Sequence, residues 1–76
     1  MHPLKIWRRS KCLTQKTAAK RIGCSLSTYI NWEYFLRNPS PRNVRKISAA
    51  TGGEVTAEQL FRAWDRRFAT DAVEAN

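Results

Sequence analysis

Twelve residues, GCSLSTYINWEY at 23 to 34, hold the side chains best suited to chemistry by hydrogen bonding. Ser25, Ser27, Thr28 and Asn31 bring short donors and acceptors close together, with Leu26 among them. On a helix turning about 100° per residue, Tyr29 and Trp32 share one side with Ser25 and Glu33. Ser27, Asn31 and Tyr34 fall nearly opposite, with Ile30 at the edge and Thr28 on the other flank. The aromatics would fasten such a helix to a core, and its outer face would show compact, uncharged polar groups. A merely solvated face more ordinarily carries long Lys and Glu side chains. Reading hydrogen-bonding edges at close range is the chemistry this spacing suits, and a DNA major groove about 12 Å wide admits such a helix. The same spacing also fits a plain helical hairpin inside a small bundle.

Covalent chemistry is poorly served. His2 is the only histidine and is expected at a mobile terminus, so no histidine base or nucleophile triad can be assembled. Cys12 and Cys24 with one distant histidine do not make a zinc site, and no glycine-rich phosphate loop is present. The reading is of a non-enzyme with no cofactor and no metal. With no secretory signal peptide ahead of them, both cysteines are expected as reduced thiols. No run approaches the roughly 18 apolar residues of a spanning helix.

Charge points to the partner. From Met1 to Gly53 there are eleven Lys and Arg against a single acid, Glu33. From Glu54 to Asn76 there are three Arg against five acids. A strongly positive body with a slightly acidic end suits a polyanion bound by the body. Solubility alone does not call for fifty residues nearly free of acids.

The elements that must hold these residues are legible from their punctuation. A first helix is predicted from Pro3 to about Lys11, with Leu4 and Trp7 on one face. Thr14 caps a second, Gln15 to Ile22, whose inner side is Ala18, Ala19 and Ile22 and which Gly23 ends. Ser25 caps a third, reaching about Tyr34. Leu36 to Ser40 reads as a loop, then Ser40 and Pro41 open a fourth helix that Gly52 and Gly53 stop; Val44, Ile47 and Ala50 or Thr51 face inward. The box T-A-E-Q at 56 to 59 opens a fifth, reaching roughly Phe68. No stretch alternates like a strand, so the fold is all-α.

Residues 4 to 61 resemble the Cro and lambdoid phage repressor family of helix-turn-helix proteins, the xenobiotic-response-element type. The matching residues are L-T-Q at 13 to 15, Ala19, Ile22, G-C-S at 23 to 25, S-T at 27 and 28, and W-E at 32 and 33. P-S-P-R-N-V-R-K-I at 39 to 47 and T-G-G at 51 to 53 fit the family's fourth helix and its stop. The resemblance implies a compact five-helix, lambda-repressor-like domain and a sequence-specific regulator of transcription that binds double-stranded DNA. By the resemblance, Leu26, Ser27, Thr28 and Asn31 occupy the base-reading positions. Gln15 matches a glutamine that touches a backbone phosphate, with the amides near Thr14 directed at the same phosphate. Arg42 matches an arginine set against the backbone near the operator centre. Arg8 and Glu33 match a partly buried arginine–carboxylate pair.

Beside the resemblance, Lys16, Lys20, Arg21 and Arg37 flank the proposed groove face, as phosphate contacts or as plain solvated charge, and Asn43 and Asn38 fit either a phosphate neighbour or a turn and cap residue. Two positions depart from the family pattern. Many relatives carry glutamine where this chain has Leu26, and leucine cannot grip adenine in a bidentate pair, although it can lie against a thymine methyl. Tyr29 stands where a small aliphatic is usual, and its hydroxyl needs a partner.

The domain is expected to span residues 1–68, with a fifth helix at 57–68 and a frayed tail at 69–76. Leu60, Phe61, Trp64 and Phe68 give that helix more large apolar residues than a small core needs, so either they finish the core or some of them, as candidates for a homodimer interface, bury against a second copy. A two-fold dimer suits a palindromic operator. Such a regulator represses by covering a promoter or activates by touching RNA polymerase or another protein, in the cytoplasm of a bacterial cell or a phage-infected host. The alternative is an antitoxin-like or adaptor module whose fifth helix docks on a different protein.

Overall fold

In the computed structural model the described residues are 1–74, with side chains through residue 69. They form five helices and no strand: α1 Pro3–Ser10, α2 Gln15–Ile22, α3 Leu26–Glu33, α4 Pro41–Ala50 and α5 Ala57–Glu74. The all-α class follows from the local patterns, and the first four helices start where their caps predict. α5 runs six residues beyond its expected end at Phe68, so the expected frayed tail is helical as far as Glu74. Residues 75 and 76 of that tail lie outside the described residues.

Every helix start is closed by a side chain. The Thr14, Ser25 and Ser40 hydroxyls accept from the backbone N–H three residues on, at 3.1, 3.1 and 3.3 Å. Thr56 and Gln59 form the reciprocal box, at 3.2 and 3.0 Å. The first cap corrects an expectation, because His2 is not at a mobile terminus. Its ring is 3 % exposed, Nδ1 accepts from the Leu4 N–H at 3.0 Å, and the ring stands edge-on to Phe35 with centroids 5.0 Å apart.

Helix ends reuse one device with different residues. After α4, Gly52 and Gly53 donate to Ala49 and Ser48 carbonyls at 3.2 and 2.8 Å, with Gly52 at φ 62. After α1 and α3 the same pair of bonds forms around Cys12 at φ 57 and Phe35 at φ 59. A left-handed non-glycine residue costs about 1–2 kcal/mol. At Phe35 the cost is offset by burial of the ring between His2 and Trp64, whose centroids lie 5.0 and 6.5 Å away.

The core is continuous across all five helices: Leu4 and Trp7 from α1, Ala18, Ala19 and Ile22 from α2, Tyr29 and Trp32 from α3, Ile47 from α4, Val55 from the link that follows it and Leu60 from α5. The inner faces read from the sequence are therefore the inner faces of the fold. Leu60 is 2 % exposed and belongs to the core. Trp64 and Phe68 are half-buried and continue the aromatic run from Phe35, with Trp64 and Phe68 centroids 4.8 Å apart. Of the four interface candidates, only Phe61 is largely exposed, at 65 %.

The buried His2 sets an expected pH dependence. Burial lowers its pKa from 6.5 to about 4, with Glu33 opposing. The neutral ring is thus the folded form, and its contribution is complete above pH 6.5 and lost as pH falls towards 4. The shift corresponds to at most about 3 kcal/mol. His2→Asn keeps an acceptor for the Leu4 N–H and removes the titration, so its urea midpoint should change much less over that window than that of the parent chain.

Candidate nucleic-acid interface

Helices α2 and α3 pack together across the turn at Gly23, whose φ of 91° supplies the left-handed closure. One carboxylate locks that pair to α1. Arg8 donates from Nε to Glu33 Oε2 at 2.9 Å and from Nη2 to Oε1 at 3.1 Å, in bidentate fashion. Its third nitrogen, Nη1, donates to the Leu13 carbonyl at 3.2 Å, in the link between α1 and α2. Gln15 Nε2 donates to Glu33 Oε1 at 3.2 Å, so the first residue of α2 is tied to the last residue of α3. The Tyr29 hydroxyl lies beside this pair and finds its partner in the Leu4 carbonyl, at 3.3 Å.

The electrostatics of the cluster are consistent with this geometry. Burial alone would raise the Glu33 carboxyl, but the hydrogen bonds from Arg8 and Gln15, the nearby Tyr29 hydroxyl and the charge of Arg8 outweigh it and hold the group below the ordinary value. The hydrogen bond to Glu33 in turn raises Arg8. Burial, with the Glu33 carboxylate beside it, pushes Tyr29 far above a usual tyrosine. Glu33 is 5 % exposed, so the single acid of the first 53 residues adds almost no negative surface.

With its inner side fixed, α3 turns its other side outward. Leu26 and Ser27 are exposed, and Asn31 and Thr28 are half-buried. The Thr28 hydroxyl accepts from Ser25 Oγ at 2.9 Å, which restrains its rotor. Gln15 is half-buried, and one of its two amide hydrogens is committed to Glu33 while the other remains. Thr14, Lys16, Lys20, Arg37 and Arg42 are exposed, and Asn43 is half-buried in the first turn of α4. Thr14, Gln15 and Lys16 thus cluster at the start of α2, and Arg42 and Asn43 at the start of α4.

None of α2, α3 and α4 carries an acid in its first turn. Helix starts ordinarily favour Asp and Glu, which complement the positive end of the dipole. Each start has one N–H taken by its cap, and the positive end of its dipole meets no carboxylate from its own first turn.

Two further side chains at the end of this face, Tyr34 and Leu36, are exposed, and neither is among the base-reading or phosphate candidates read from the sequence. The helical angle that sets Tyr34 beside Ser27 and Asn31 was the available signal.

The model of a helix-turn-helix family matches residues 4–57, from α1 to the first residue of α5. The chain belongs to the Cro/repressor-type helix-turn-helix family. It is therefore a DNA-binding protein of the transcription-regulator kind. No curated protein sequence and no solved structure matches the chain. The Cro/repressor-type match covers the buried pair, both helices of the motif and α4, and stops as α5 begins. No helix among the described residues is long and apolar enough to cross a membrane.

Proposed function

We propose that this chain is a sequence-specific transcriptional regulator that inserts α3 into the major groove of an operator. Leu26, Ser27, Thr28 and Asn31 read base edges. Thr14, Gln15, Lys16, Lys20, Arg37, Arg42 and Asn43 hold the phosphates and supply most of the affinity through counterion release. The observation that carries the reading is an outward α3 face with no charge on it, fixed through Glu33 to α1 and α2 and bordered by three acid-free helix starts. Asn31→Ala should weaken binding to a selected duplex by about 1–3 kcal/mol and leave binding to unrelated DNA unchanged. Equal losses on both, measured by fluorescence anisotropy, would remove Asn31 from the base-reading set.

The regulator acts as a homodimer in this reading. A groove of about 510 Å³ runs between α4 and α5, lined by Pro39, Pro41 and Val44 with exposed Phe61 at its edge. Two copies related by a two-fold axis would each offer a Phe61 to the other's groove. Pro41 adjoins Arg42, so such a dimer brings the starts of both α4 helices towards the axis, which suits phosphate contacts near the operator centre. Phe61→Glu should shift the sedimentation profile to monomer with helicity unchanged; an unshifted profile would move the interface elsewhere.

A further inference from the structure

The outer face of α3 carries more than polar groups. Leu26, Ile30 and Tyr34 follow one another at four-residue spacing and form a stripe beside Ser27 and Asn31. Leu26 is 41 % and Tyr34 59 % exposed, and Ile30 between them is half-buried. Core packing does not account for it, because Tyr29 and Trp32 already bury the opposite side of the helix. Building on the DNA-binding reading, we infer that this stripe reads the 5-methyl groups of thymines in the operator half-site, and that Ile30 is a specificity residue alongside Leu26.

Charge selects the occupant. The surface around the stripe belongs to a body with eleven basic residues and one acid, and that acid is buried in the Arg8 pair. A second copy of the same face would bring two strongly positive surfaces together. A polyanion that also offers small apolar groups satisfies both features, and in the major groove the thymine methyl is the apolar group displayed at the base edge. Leu26 and Ile30 lie one turn apart, about 6 Å along the helix. That distance spans roughly two base steps of 3.4 Å, so both residues fall within one half-site. Leucine and isoleucine lack hydrogen-bonding groups, so neither can compensate for a missing methyl. The Tyr34 ring extends the stripe while its hydroxyl stays free to reach the sugar–phosphate edge.

The test starts from a duplex enriched out of a random pool and replaces thymine by deoxyuracil at each half-site position in turn. This removes only the methyl and leaves the pairing intact. The expected result is a loss of about fourfold per contacted methyl, which corresponds to one buried methylene-sized group. Two contacted positions should together cost roughly tenfold or more. The Leu26→Ala, Ile30→Ala double variant should bind the thymine and deoxyuracil duplexes equally and keep the salt slope of the parent. Circular dichroism checks that it is folded, and the arm altered in the DNA does not depend on that variant. Equal binding of both duplexes by the parent chain overturns the inference while the DNA reading stands. A thymine preference that persists in the folded double variant overturns it too. Failure to enrich any duplex overturns the DNA reading, and this inference with it.

Discussion

Glu33→Ala is expected to cost about 3–5 kcal/mol of folding stability, the usual result of stripping one partner from a buried ion pair. The loss is large for physical reasons. Arg8 keeps its charge in a half-buried site, with only the Leu13 carbonyl left to accept from it. Gln15 loses its tie to the end of α3, and α1, α2 and α3 lose their common anchor. A domain of this size has a total stability on the order of 4–11 kcal/mol, so the variant should be marginal or unfolded at 25 °C. Urea titration followed by circular dichroism measures the change. Glu33→Gln, which keeps an oxygen for the guanidinium, should recover part of it. The folded carboxyl titrates below its ordinary value, so its contribution is complete above the unfolded pKa of 4.5 and is lost as pH falls below it. A His2→Asn chain, free of that second titration, as stable at pH 3 as at pH 7 would contradict the role given to this pair.

Ser27→Glu should separate folding from binding by moving them in opposite directions. Ser27 is the second residue of α3, where a carboxylate meets the positive end of the helix dipole. Stability should therefore rise by about 0.3–1 kcal/mol. On the proposed groove face the same carboxylate would stand among phosphates and could not accept from them. Like-charge apposition of this kind costs several kcal/mol, so affinity for every duplex should fall by about a hundredfold or more. Thermal melting and anisotropy on one protein preparation give both numbers. A folded variant that still binds with parental affinity would take α3 out of the groove.

What was legible in the sequence was local chemistry. Thr14, Ser25, Ser40 and the Thr56–Gln59 box each act within three residues of their own position, so the helix starts could be read directly. Gly23 and Gly52 likewise marked left-handed ends. Cys12 and Phe35 adopt the same backbone without the residue type that usually signals it, and only tertiary packing makes Phe35 tolerable there. His2 was missed for a related reason. Its cap depends on burial against Phe35, a residue brought to it by the fold. Leu60, Trp64 and Phe68 looked alike on the helical wheel, yet packing took Leu60 wholly into the core and put the other two in the aromatic run. The candidate site was more legible than the α5 surface because Ser27, Asn31 and their buried counterparts Tyr29 and Trp32 alternate on one short helix.

The most direct test of the central claim is selection of bound duplexes from a random pool at about physiological salt, where non-specific binding is suppressed. The account predicts enrichment of an inverted repeat whose half-sites are centred about 34 Å apart, one DNA turn. Binding to all duplexes alike, lost steeply as salt rises, would contradict it and favour a module whose partner is another protein.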